Sequence, residues 1–127
     1  MYAMQNNPYQ KYKQQSIMTM TQGEMLTQLF DKVVKQLTLG ARQIEAKEYS
    51  ESNDTLQKAQ TILNYLRQNL NTQYQVSQGL DQLYEYFLYR IIQANIKQET
   101  QGLEEIIPMI TELRNAFVEA DRTARMH

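Results

Sequence analysis

Residues 80–95 read LDQLYEYFLYRIIQAN, from Leu80 to Asn95. At about 100° per residue, Leu80, Leu83, Tyr84, Phe87, Ile91 and Ala94 share one side of a helix and form an ordinary core stripe. Leu88 and Ile92 lie beyond its edge, and Tyr86 and Tyr89 point further round still. The apolar arc covers roughly half the circumference, wider than the ~100° stripe of a surface helix in a small bundle. Either other helices flank this one on both sides, or part of its surface is kept for a partner.

The rest of the chain bounds that choice. Its 127 residues suffice for one domain with one core. Four Gly and two Pro suit helices and argue against a sandwich or barrel. No window has the ~18 uninterrupted apolar residues of a membrane span, so no insertion is expected. The start, MYAMQNNPYQKYK, lacks the apolar segment of a secretory signal. With no cysteine there is neither a disulfide framework nor a thiolate metal site, and the cytosol is the expected compartment. The net charge is −1 and the basic residues are scattered, whereas nucleic-acid binding calls for a clustered basic stripe.

Residues 1–20 do not read as core. Asn6, Asn7 and Pro8 interrupt any helix, yet Tyr2, Tyr9, Tyr12, Ile17, Met18 and Met20 are too apolar for a solvating tail. Two readings stand: a frayed terminus, or a mobile flap that lays Tyr9, Tyr12 and Ile17 over an apolar surface. The first long helix is expected over about 21–48. Thr21-Gln-Gly-Glu24 has capping-box form, and Met20 and Met25 are placed as a hydrophobic staple. Leu26, Leu29, Phe30, Val33, Leu37, Ala41 and Ile44 make its apolar face. Gly40 interrupts that face at a cost of about 1 kcal/mol relative to Ala, so close approach of another helix is expected there.

Ser50 is the expected cap of a second helix over about 50–70. Its Leu56, Ala59, Leu63, Leu66 and Leu70 repeat at the spacing of a bundle seam, with Ile62 at the edge and Tyr65 beyond. A third helix follows over about 77–98. A fourth, capped by Thr100 or Glu99, runs over about 100–125 through Leu103, Ile106, Ile110, Leu113, Phe117, Ala120 and Ala124. Pro108 lies inside it and predicts a kink or a break. The short connections make the whole an all-α, antiparallel four-helix bundle with a mobile N-terminal segment.

Signals for chemistry are sparse. The single histidine is His127, the last residue. Helical bundles that hold di-iron sites use inward Glu-x-x-His pairs, and none exists here. Glu104 and Glu105 are adjacent, so they point in different directions, and negative charge is favoured near a helix start. No phosphate loop or nucleophile elbow is present. The expectation is therefore a chain that is not an enzyme, with no cofactor and no metal.

What remains is surface. Asp81, Glu85, Leu88, Ile92 and Asn95 run along one edge of the third helix, and Lys58, Ile62 and Tyr65 are read as the matching edge of the second. Apolar residues framed by polar ones describe a groove for an amphipathic segment. Any one of the aliphatics is more often core than contact surface. As a set, with the tyrosines, they compete as a binding surface.

Read in order, these residues resemble the flagellar secretion chaperone FliS family, whose members guard flagellin before export. The likeness runs from Tyr9 to about Phe117. It comprises Asn7-Pro8-Tyr9 with Tyr12; Leu26, Leu29, Phe30 and Asp31; Leu56-x-Lys58-Ala59-Gln60 with Ile62 and Leu66; Leu83-Tyr84-x-Tyr86 with Ala94-Asn95; and Leu113-Arg114-x-Ala116 before an aromatic. The chain departs from the family's pattern with Gln22-Gly23-Glu24 in place of a Pro-containing start, Leu29-Phe30-Asp31-Lys32 in place of Leu-Tyr-Asp-Gly, Phe117 in place of Trp, and Pro108. The resemblance implies a bundle around which the disordered C-terminal region of flagellin wraps, with the segment bearing Tyr9 and Tyr12 covering part of the empty site. It also implies the export machinery as a further partner. On this view Lys58, Ile62, Tyr65, Leu88, Ile92 and Asn95 meet the client. The rival expectation is a self-associating structural bundle without a flagellin client, and the chain is expected as a monomer or a homodimer.

Overall fold

The computed structural model describes residues 22–70 and 76–125. Four helices account for nearly all of them: α1 Gln22–Glu45, α2 Tyr49–Gln68, α3 Val76–Lys97 and α4 Gln101–Arg125. The chain is all-α, and among the described residues there is no strand. Each helix packs against its two neighbours in a ring, α1 beside α2 and α4, and α3 beside α2 and α4. Contacts between opposite ends fix the directions. Asn53 near the start of α2 meets Asn95 near the end of α3, and Gly23 at the start of α1 lies against Asp121 near the end of α4. Neighbours therefore run antiparallel, as their short connections predict.

The seam residues fill the middle. Phe30, Val33, Leu37 and Ile44 from α1 meet Leu56, Ala59, Leu63 and Leu66 from α2. Tyr84, Phe87, Leu88, Ile91 and Ala94 from α3 and Leu103, Ile106 and Ile110 from α4 complete the core. Phe30 stacks on Phe117 with centroids 5.5 Å apart and tilts against Tyr84 at 6.4 Å, so aromatic rings knit α1, α3 and α4. Burial pushes the Tyr84 phenol up to about 12, so it stays neutral across the physiological range.

Both described corners turn on a residue with left-handed backbone. Lys47, at φ 61°, follows α1; its N–H bonds the Ile44 carbonyl at 3.0 Å, and Glu48 N–H bonds the Gln43 carbonyl at 2.8 Å. This pair of bonds is a Schellman closure, which satisfies carbonyls the helix end leaves free. Gln98, at φ 53°, does the same after α3, with Glu99 N–H on the Ala94 carbonyl at 3.2 Å. Neither is glycine, so each bears a strain of about 1 kcal/mol. Gln98 offsets it: its side-chain amide bonds Asn95 and accepts from the buried Ser52 hydroxyl at 2.8 Å.

Two expectations for the helix ends are corrected. Ser50 does not cap α2; the cap position is Glu48, which makes no side-chain capping bond. The Schellman turn already uses the Glu48 N–H, and α2 starts one residue before Ser50. Pro108 does not break α4, which runs on to Arg125. Pro108 is exposed, so water can reach the Glu104 carbonyl that loses its usual donor. Thr100 fits its expected place: its carbonyl accepts the Glu104 N–H at 2.9 Å and opens α4. The capping box at Thr21 and the Met20 half of the staple lie outside the described residues.

Gly40 is buried against α2. A Cβ built there would come 2.6 Å from Leu56 Cδ2 and 3.1 Å from its Cγ, and Leu56 is itself fully buried. Gly79, in the first turns of α3, has nothing within 4 Å of such a Cβ. The two glycines should therefore respond oppositely to alanine. Gly79→Ala should raise the unfolding free energy by about 0.5–1 kcal/mol through helix propensity alone. Gly40→Ala should lower it by about 1 kcal/mol, because overpacking costs about 1–3 kcal/mol and exceeds the same propensity gain. Urea unfolding of the two variants checks this; stabilisation by both would mean that Leu56 moves aside and that the α1–α2 approach is not tight.

Candidate functional site

On α3, the core takes Tyr84, Phe87, Leu88 and Ile91, and the same helix leaves a second apolar line outside. Tyr89 is 56% exposed, Ile92 40% and Ile96 71%. Spaced three and four apart, they form one stripe along the outer face of α3 on its α2 side. Helix propensity does not call for two isoleucines so exposed, and the bundle leaves this apolar line uncovered.

Beside the stripe lies an open groove of about 430 Å³, lined by Gln57, Gln60, Thr61 and Asn64 from α2 and by Ile92, Asn95 and Ile96 from α3. Helical spacing puts the α2 residues in a single row with Asn53 and Arg67. That row is polar throughout, so the groove has one amide wall and one aliphatic wall.

Each end of the groove is closed by a polar clamp between the helices. At one end Asn95 donates to Asn53 at 2.7 Å and accepts from Gln98, which is held by Ser52. At the other, Arg67 reaches Asp81 at 2.5 and 3.3 Å and Glu85 at 3.2 Å. The guanidinium hydrogen bond holds the Asp81 carboxyl below the ordinary carboxylate range. What the pair contributes is therefore complete above the unfolded value and is lost as pH falls through the lowered one. Clamping at both ends leaves the middle of the α2–α3 seam lined by groups without fixed charge.

The structure brings together only part of the expected set. Ile92 and Asn95 line the groove. Leu88, expected at its edge, is 7% exposed and packs in the core, because α2 covers that sector of α3. The Asn95 amide is already engaged with Asn53. Lys58, Ile62 and Tyr65 do not face α3. Ile62 lies roughly half a turn around α2 from Asn53, on the flank toward α1, where Thr55 and Leu56 meet Gly40. Tyr65 is 47% exposed on that flank, with Leu39 of α1 also exposed. Tyr86 is directed to α4 instead, donating its phenol hydrogen to Glu105, which also pairs with Arg90 at 2.8 Å. That hydrogen bond raises the Tyr86 pKa. Tyr9, Tyr12 and Ile17 lie outside the described residues.

Sequence reading missed Ile96, the most exposed large apolar residue described, and the amide row of α2. A signal for Ile96 was available: it continues the line of Tyr89 and Ile92 past the end of the core stripe. For chemistry, the described residues offer no group of three His, Cys, Asp or Glu that could hold a metal ion. Among the same residues, no helix is long and apolar enough to cross a membrane.

Comparison with known proteins places this arrangement. The family model described as "Flagellar protein FliS" matches residues 4–124. The chain is 35% identical over 119 residues to the flagellar secretion chaperone FliS of Bacillus subtilis, covering 94% of this chain and 90% of that one. It is 28% identical over 108 residues to the protein of that name from Escherichia coli, covering 83% and 79%. With the Salmonella typhimurium protein it shares 24% over 105 residues, covering 80% and 78%. The match spans both walls of the groove and all four helices, and the chain belongs to the FliS family of flagellar proteins.

Proposed function

We propose that this chain is a flagellar export chaperone that holds the disordered C-terminal region of flagellin in the α2–α3 groove. The observation that carries the reading is the outer stripe of α3, Tyr89, Ile92 and Ile96, uncovered in a chain whose relatives are named flagellar secretion chaperones. An unfolded flagellin terminus exposes apolar residues that drive assembly. Seated on the stripe, those residues lose water and their ability to pair with another flagellin. The chaperone acts in the cytosol and delivers the client to the export machinery.

The physics of the groove suits a disordered client. Both clamps join one rigid helix to another, so the surface is formed before the client arrives and little ordering is required of the chaperone. The client bears the ordering cost, which for coupled folding reaches several kcal/mol against a buried area of about 1,000–3,000 Å². The client is taken to reach beyond this groove. Lys58, Ile62 and Tyr65 therefore enter the proposal as a second contact, reached by a client that crosses over α2. Tyr9, Tyr12 and Ile17 enter it as a segment that competes for the empty site. The work is binding and release, with no catalysis, cofactor or metal.

Ile92→Asp and Ile96→Asp test the reading. Both side chains are exposed, so each variant should keep its helical signal and lose less than ~1 kcal/mol of stability. Each should weaken capture of a flagellin C-terminal fragment by about 30-fold or more, as loss of an interface anchor does. Retained affinity in both variants overturns the groove as the client site. Sedimentation without client addresses the rival bundle: self-association abolished by Ile96→Asp, together with indifference to the fragment, would assign the stripe to a second copy.

A further inference from the structure

Resting on the reading of the α2–α3 groove as the client site, we propose that the groove selects by charge exclusion. The segment it takes is a helix of roughly four turns whose groove-facing polar side chains are uncharged. Three observations carry this.

The first is the lining. Gln57, Gln60, Thr61, Asn64 and Asn95 supply all its polar groups, and none is ionisable. An amide both donates and accepts, so it can satisfy another amide, a hydroxyl or a backbone group. It cannot neutralise an ion. A charged side chain pressed into the groove would lose water and gain no counter-ion, which is unfavourable. At the groove's end, Arg67 already holds Asp81 and Glu85.

The second is the opposite wall. Ile92 and Ile96 stand on α3 across from the amides, so an occupant meets aliphatic surface on one side and amides on the other. An amphipathic helix with apolar residues toward α3 and Asn, Gln, Ser or Thr toward α2 satisfies both walls at once. A charged amphipathic helix satisfies only the α3 wall.

The third is length. Asn53 and Arg67, which bear the two clamps, stand about 20 Å apart along α2 at ~1.5 Å per residue. That distance accommodates roughly four helical turns before the occupant meets a clamp.

The test uses the full chain carrying Lys58→Gln, which removes the charge of the second contact, and a flagellin C-terminal fragment, with affinity measured at 0.1 and 1 M NaCl. Debye screening shortens from about 10 Å to about 3 Å over that range. Charge exclusion predicts that affinity changes by less than about threefold, since no client charge is answered by a groove charge. Gln60→Lys and Gln60→Glu then place each sign of charge among neutral helical neighbours. Both should weaken binding by about tenfold or more, with melting temperature and helical signal near those of the unmodified chain. Tightening by either sign, or a salt-dependent loss with one sign only, would reveal a charged client face and overturn the inference while leaving the groove as the site. Unchanged affinity in Ile96→Asp would instead remove the groove reading itself, and this inference with it.

Discussion

A helix in a ring of four can bury only the sector that its two neighbours cover. α3 carries apolar side chains over a wider sector than that. Tyr84, Phe87, Leu88 and Ile91 fill the covered part, and Tyr89, Ile92 and Ile96 are left in water. Burying a large aliphatic is worth about 1.5–3 kcal/mol, so an uncovered isoleucine forgoes much of that in the free protein. The same residues return it when something covers them. The surface therefore has a binding drive built in, and the bundle's own stability does not depend on it.

The polar contacts of the bundle serve that surface more by where they sit than by their strength. Exposed ion pairs contribute about 0–1 kcal/mol, and the Arg67 cluster is partly exposed. Its position matters because it ties the end of α2 to the start of α3. The Asn53–Asn95 bond ties the opposite ends, and Gln98, strained at φ 53°, anchors that knot through Ser52. With both ends fixed, the stretch between them can stay open without the helices drifting apart. The tight packing lies on the other side of α2, where Gly40 lets α1 approach Leu56.

Much of this was legible from residue spacing. The seams of the four helices, apart from Ala120 of α4, which is exposed, and Ala124, whose side chain is not described, together with the antiparallel ring, the close approach at Gly40 and the excess apolar arc of α3, follow from periodicity and local propensity. Lys58, Ile62 and Tyr65 show what spacing cannot give. A helical pattern divides core from surface, but it does not say which flank faces which neighbour. That depends on the hand of the ring, which is set by packing among all four helices. Ile62 on the α1 flank and Gln60 on the α3 flank border the same core stripe and look equally eligible in sequence. Leu88 failed as an edge residue for a related reason, because α2 covers slightly more of α3 than a narrow stripe requires. Pro108 does not end α4, because the helix continues past a missing bond whose carbonyl water can reach.

Photo-crosslinking measures the central claim most directly. A benzoylphenylalanine placed at position 96 sits at the most exposed point of the α3 stripe, and one at position 119 sits on the exposed face of α4, the helix across the ring from α2. With a bound flagellin C-terminal fragment, efficient crosslinking is expected from position 96 and clearly weaker crosslinking from position 119. Full binding with no crosslink from position 96 would contradict that claim, because the client would then be held without covering the stripe that α3 leaves open.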